Sequence, residues 1–223
     1  MKTIAAVAGV LALAGAAQAQ IPWSNPNGVG PFFTWANGQN ATGLFGSPTL
    51  VGDTFIFFPA NFVAESLNGV PDTKTDTMSV DIYVQVGYKF DGIRISEYGD
   101  YSVLGQGQVD AAATLTLTDI DNPGRNTADT MAFAPVFPQT SGTNQSWQGD
   151  VGRDLTLIEF GVPFLKLHLE LSNTLIAISA PGSSAVIRKT LVGVPVAIQI
   201  LPEPGALALL AFGGLVASRR RRA

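Results

Sequence analysis

Strict alternation of apolar and polar side chains recurs along this chain, and a period of two marks a strand half-buried against a core. Over residues 164–171, Leu165, Leu167, Leu169 and Leu171 point one way and Lys166, His168 and Glu170 the other. Over 79–86, Val80, Ile82, Val84 and Val86 share a face opposite Ser79, Asp81, Tyr83 and Gln85. Residues 113–120 repeat the pattern, with Leu115 and Leu117 opposite Thr114, Thr116 and Thr118. Val192, Val194, Val196, Ile198 and Ile200 define another apolar face, and Pro195 on its reverse marks an edge or a bulge. Further strands are expected over 54–58, 93–97, 155–160 and 175–180.

Turn chemistry separates these runs. Asn68-Gly69, Asp91-Gly92, Asp121-Asn122-Pro123-Gly124 and Pro181-Gly182 lie between apolar stretches. Ser172-Asn173-Thr174 is expected to close a hairpin between 164–171 and 175–180. Between residues 20 and 201 no sustained 3.6-residue apolar period occurs, and no repeat of fixed length. The sequence therefore predicts an all-β domain, an antiparallel two-sheet sandwich of jelly-roll-like type. Residues 20–42, rich in Asn, Gly and aromatics, are expected to form a loosely held N-terminal segment.

Charge and cysteine usage narrow the function classes. Setting aside Lys2, Glu203 and the four terminal arginines leaves eight basic and sixteen acidic residues in 20–201. So acidic a domain, without a basic stripe, argues against a nucleic-acid partner and is repelled by anionic lipid surfaces. The chain has no cysteine. Thiolate catalysis and Cys-ligated zinc or iron–sulfur sites are excluded, and stability must come without disulfides.

The ends read as addresses. Met1-Lys2-Thr3, an apolar run to Ala17, and Ala17-Gln18-Ala19 have the layout of a signal peptide over 1–19. Ala17 and Ala19 supply the small side chains that signal peptidase requires, leaving Gln20 first. At the other end, Pro202-Glu203-Pro204 is expected to stop the preceding strand, with Pro204 in the first turn of a hydrophobic helix over 205–218. Such a helix is about 21 Å long, short of a hydrocarbon core of about 30 Å. Arg219, Arg220, Arg221 and Arg222 would stay on the cytoplasmic side. The domain between is 20–201, with a sorting and anchor segment over 202–223.

The order Pro-Glu-Pro, short apolar helix and terminal Arg cluster resembles a PEP-CTERM sorting signal, and a signal peptide at the other end is its usual companion. The resemblance implies recognition by an exosortase, cleavage near Pro202-Glu203-Pro204, transient anchoring in the inner membrane, and a setting of extracellular polysaccharide. The stretch 43–59, with 95–102 downstream, is similar to bodies carried by other PEP-CTERM proteins, which adds support for the sandwich alone.

Candidate sites within the domain are few. His168, the only histidine, sits between Lys166 and Glu170 and reads as solvent-facing. Glu97 and Asp100, flanked by Tyr98 and Tyr101, are the best pair of carboxylates for glycoside hydrolysis, or else an ordinary turn cluster. Asp119, Asp121 and Asn122, and Asp72 with Asp76, offer the oxygen donors that calcium prefers, although Asp and Asn are common turn formers and no ligand set is assigned. Trp23, Phe32, Phe33, Trp35 and Trp147 are platforms for a sugar if exposed, and plugs for the open ends of the sandwich if not. No residue is assigned to catalysis, a cofactor or a metal. The expectation is an exported, non-catalytic cell-surface or matrix protein. A carbohydrate-binding module and a secreted glycoside hydrolase are the alternatives.

Overall fold

A computed structural model describes residues 19–155, 161–189 and 196–204. The predicted terminal helices, residues 156–160 of the strand expected over 155–160, and Val192, Val194 and Pro195 of the next expected strand lie outside them. The strands are β1 (Ile21–Pro22), β2 (Gly28–Val29), β3 (Phe33–Asn40), β4 (Thr49–Val51), β5 (Thr54–Phe57), β6 (Val63–Leu67), β7 (Asp72–Val84), β8 (Tyr88–Leu104) and β9 (Gly107–Asp119). They continue with β10 (Asn126–Thr130), β11 (Ala132–Ala134), β12 (Gly142–Asp154), β13 (Lys166–Ser179), β14 (Ser184–Arg188) and β15 (Val196–Pro204). One sheet runs β1-β3-β7-β13-β9-β10, with β2 on β3. The other runs β11-β12-β8-β15-β5-β4, and β14 bridges β8 and β6. Every pairing is antiparallel. The all-β, two-sheet expectation holds.

The middle of the first sheet is β13, hydrogen-bonded to β7 on one side and β9 on the other. Leu167, Leu169, Leu171, Leu175 and Ala177 are buried on its inner face. Leu115 and Leu117 from β9, and Met78, Val80 and Ile82 from β7, pack beside them. The second sheet contributes Phe55, Phe57, Ile93, Ile95, Ile198 and Ile200. The alternation read from the sequence is this inner face.

Several expectations are corrected. Ser172-Asn173-Thr174 closes no hairpin: β13 runs straight through it. Ser172 and Thr174 lie on the outer face, where their hydroxyls meet Thr77 and Thr75 at 3.1 and 3.0 Å. Asn173 takes the inward position between Leu171 and Leu175. Asp91-Gly92 is likewise no turn but part of β8, where a Cβ on Gly92 would come within 2.7 Å of the Arg153 carbonyl on β12. The glycine serves close strand approach. Asn68-Gly69, with φ of 52° and 86°, does form a turn as predicted. Residues 20–42 are not loosely held. Most of them carry β1, β2 and β3, and Trp23 and Phe33 enter the core.

Two apolar residues leave their predicted face. Leu165, just before β13, is 47% exposed, and Val86 stands fully in solvent at the β7–β8 turn. Pro202 does not end β15. After a register shift at Leu201/Pro202 the strand continues opposite Phe90, Lys89 and Tyr88. Beyond Gln199 the described pairing of β15 is with β8 alone, so a proline lacking its N–H fits at the bulge and open side. β15 thus runs on through Pro204.

The register sets a contrast that unfolding measurements can check. Leu169→Ala, at the fully buried centre of β13, should lose about 2–5 kcal/mol of unfolding free energy. Leu165→Ala should stay within about 0.5 kcal/mol.

Candidate functional site

A strand places residues i and i+3 on opposite faces, and this decides the carboxylate pair. Glu97 points inward from β8 and is fully buried, whereas Asp100, 9% exposed, takes the opposite face of the strand. Arg188 Nε donates to both Asp100 oxygens, at 2.7 and 2.9 Å. The two carboxylates share no cleft, and the proposed hydrolytic pair is withdrawn.

The other candidates also have protein partners. His168 faces outward as predicted, and its Nδ1 lies 2.6 Å from Asp81 Oδ1, which sits directly across on β7. Asp119 pairs with Arg125 at 2.7 Å and accepts the Asp121 N–H, as turn-forming Asp residues do. The Asn122 carbonyl accepts the Arg125 N–H in the same turn. Asp121 pairs with Lys166 at 2.8 Å, and this hydrogen bond and charge hold the Lys166 ammonium above its usual range. Asp72 pairs with Lys74 at 2.9 Å. Asp76 is buried and accepts three backbone N–H groups, from Thr42, Phe45 and Thr77, at 2.7, 3.0 and 2.9 Å. It fastens the loop after β3 to β7. Asp76→Ala leaves those donors without their acceptor and should lower stability by about 1–3 kcal/mol or more, read by denaturant unfolding, with calcium or EGTA making no difference.

The aromatic residues divide. Trp23, Phe33 and Trp147 are core side chains, which removes them as sugar platforms. Trp23 Nε1 donates to Asn40 Oδ1 at 3.2 Å. Trp35 is half-buried, packs edge-on to Phe55 and donates to the Asn25 carbonyl. Phe32 is half-buried and lies against Tyr88, ring centroids 5.1 Å apart. Next to that pair Tyr83, Gln85, Tyr88, Leu165 and Lys166 line an open groove of about 400 Å³. Tyr83 and Tyr88 were not singled out in the sequence. Their signal was a tyrosine on the polar phase of one strand and a second at the start of the next.

Of the sorting residues, Ala17, Arg219, Arg220, Arg221 and Arg222 lie outside the described residues. Ala19 is exposed. Glu203 on β15 forms an ion pair with Lys89 on β8 at 2.9 Å, one register position from Pro202 and Pro204.

The densest chemistry is internal. Glu97 on β8, Asn173 on β13 and Lys189, the residue after β14, are each at most 1% exposed. Lys189 Nζ is hydrogen-bonded to Glu97 Oε2 and donates to Asn173 Oδ1 at 2.9 Å. Asn173 Nδ2 donates to Glu97 Oε1 at 2.8 Å, closing a triangle. Three rings surround the amine: Phe62, Phe45 and Trp147 have centroids 5.2, 5.5 and 5.7 Å from Nζ. Burial among them pushes the Lys189 amine below its ordinary range, against the opposing charge and hydrogen bond of Glu97. Gly99 makes room for this packing, because a Cβ there would collide with the Arg188 carbonyl and the Trp147 ring.

No family model matches the sequence, and no curated protein matches it. Among solved structures, TmCBM61 in complex with β-1,4-galactotriose aligns over 83% of this chain and 100% of its own, at 10% identity and a TM-score of 0.27. The infectious bursal disease virus Gt strain structure covers 83% of this chain and 56% of that one, at 13% identity and 0.25. The CBM22-1–GH10 modules of a Clostridium thermocellum xylanase, complexed with xylohexaose, cover 60% and 27%, at 12% identity and 0.23. Likenesses this low carry no argument about ligand or activity.

Proposed function

We infer that this chain is an exported cell-surface or extracellular-matrix protein whose sandwich is a binding or structural body rather than an enzyme, sorted through its C-terminal segment by an exosortase. The observation that carries this reading is the arrangement of the ends. A signal-peptide pattern precedes the domain, and Pro202-Glu203-Pro204 forms the last described residues of its final strand, directly ahead of the apolar run and the arginines. Signal peptidase would remove residues 1–19, and the inner-membrane stay through the tail would be transient. Mass spectrometry of the mature protein should find Gln20 at the N-terminus and the chain ending near Pro202-Glu203-Pro204. An intact Arg222-Ala223 end in cells that contain an exosortase contradicts it.

A second reading, binding of extracellular polysaccharide, is favoured by the groove at Tyr83 and Tyr88. A sugar ring stacks on an aromatic face while neighbouring polar groups take its hydroxyls. Tyr83 and Tyr88 supply faces, with Phe32 packed against Tyr88, and Gln85 and Lys166 supply polar groups. Tyr88→Ala should weaken binding to the host's own polysaccharide at least tenfold, about 1.4 kcal/mol, in a pull-down or by calorimetry. Unchanged binding, or none by the unsubstituted protein, removes this reading.

A further inference from the structure

A lysine in an apolar core needs a reason, because its charged form loses water that one carboxylate only partly replaces. Here the lysine is not merely paired. Its Nζ is held 2.9 Å from an amide oxygen, one bond from that amide's carbonyl carbon, while the carboxylate touches both the amine and the amide nitrogen. These are the parts of an acyl transfer. The amine is the nucleophile, the amide carbon is the acceptor, and the carboxylate can take a proton from one nitrogen and give one to the other.

We propose that Lys189 and Asn173 become covalently joined by an amide bond formed within the folded chain, with Glu97 as the catalytic acid and base. Glu97 takes a proton from the Lys189 ammonium. The neutral Nζ attacks Asn173 Cγ, and the Nζ–Cγ bond forms. Glu97 delivers its proton to Nδ2 and recovers one from Nζ. The Cγ–Nδ2 bond breaks and ammonia leaves. Primary amine and primary amide become secondary amide and ammonia, with no oxidant, reductant or other reactant required.

Three features favour the step. The aromatic shell of Phe45, Phe62 and Trp147 surrounds the amine, and its desolvation disfavours the ammonium form and leaves the amine nucleophilic. The fold holds both reactants in place, and well-oriented intramolecular reactions reach effective concentrations of about 10⁵–10⁸ M. The product also discharges the core, since a neutral amide and a protonated Glu97 replace a buried ion pair. The bond would tie β13 of one sheet to the end of β14 in the other, in a chain that has no cysteine for the same purpose.

The test is peptide mapping of the purified full chain, with circular dichroism confirming the strand signal of each variant. In the unsubstituted protein, trypsin should fail to cut after Lys189. The peptide 167–188 should be found joined to one beginning at Lys189, at the summed mass less one ammonia. Glu97→Gln, which keeps the size of the side chain, should yield the two peptides unlinked, with cleavage restored at Lys189. So should Asn173→Ala. Complete cleavage at Lys189 in the folded, unsubstituted protein overturns the proposal, and equal linkage in Glu97→Gln overturns the role of Glu97. A variant that fails to fold is set aside, because the unsubstituted chain alone decides whether the bond exists.

Discussion

The sandwich is organised around one buried polar cluster. Glu97, Asn173 and Lys189 lie between two sheets whose facing surfaces are otherwise mostly leucine, isoleucine and phenylalanine. Each alone would be an unsatisfied group in a medium that cannot solvate it. Together they satisfy one another, but only if β8, β13 and the end of β14 meet in one register. A one-residue slip of β13 would turn Asn173 to solvent and leave Glu97 and Lys189 without their third partner. The cluster thus rewards a single relative placement of the two sheets, which apolar contacts alone specify less sharply.

The rest of the molecule supports that placement. Gly99 lets Trp147 lie against β8 beside the amine, and Phe133 and Phe137 continue the aromatic packing outward. Asp76 fixes the loop that carries Phe45 over the same amine. On the outer face of the first sheet, the Thr75–Thr174 and Thr77–Ser172 hydroxyl pairs, and Asp81 with His168, link β7 to β13. Exposed acidic groups with cationic partners complete the surface. The polar exterior serves solubility, while the interior chemistry concerns how the sheets are joined.

Much of the fold was legible because half-buried strands announce themselves by alternation. β9, the second half of β7 and most of β13 follow it. What misled was turn chemistry read without its phase. Ser172-Asn173-Thr174 looks like a turn by composition, yet Leu171, Asn173 and Leu175 keep the inward phase unbroken, which no hairpin would do. Asp91-Gly92 misled for a related reason, since a glycine required for close approach of β12 looks the same as one required for a turn.

The cluster was not legible as a site because its members are far apart in sequence and each has an ordinary reading alone. The signal was present in phase. Glu97 follows Ile93 and Ile95 and Asn173 falls between Leu171 and Leu175, both on the apolar phase of their strands, and Lys189, one residue past β14, continues the phase of Ala185 and Ile187. A polar residue on an apolar phase requires a buried partner, and three of them require each other. Proton–nitrogen correlation NMR on protein labelled with ¹⁵N-lysine tests this most directly. The account predicts that Lys189 Nζ appears as an amide nitrogen bearing one hydrogen, in contact with the Asn173 side chain. An amine or ammonium signal at Lys189, exchanging with water, would contradict it.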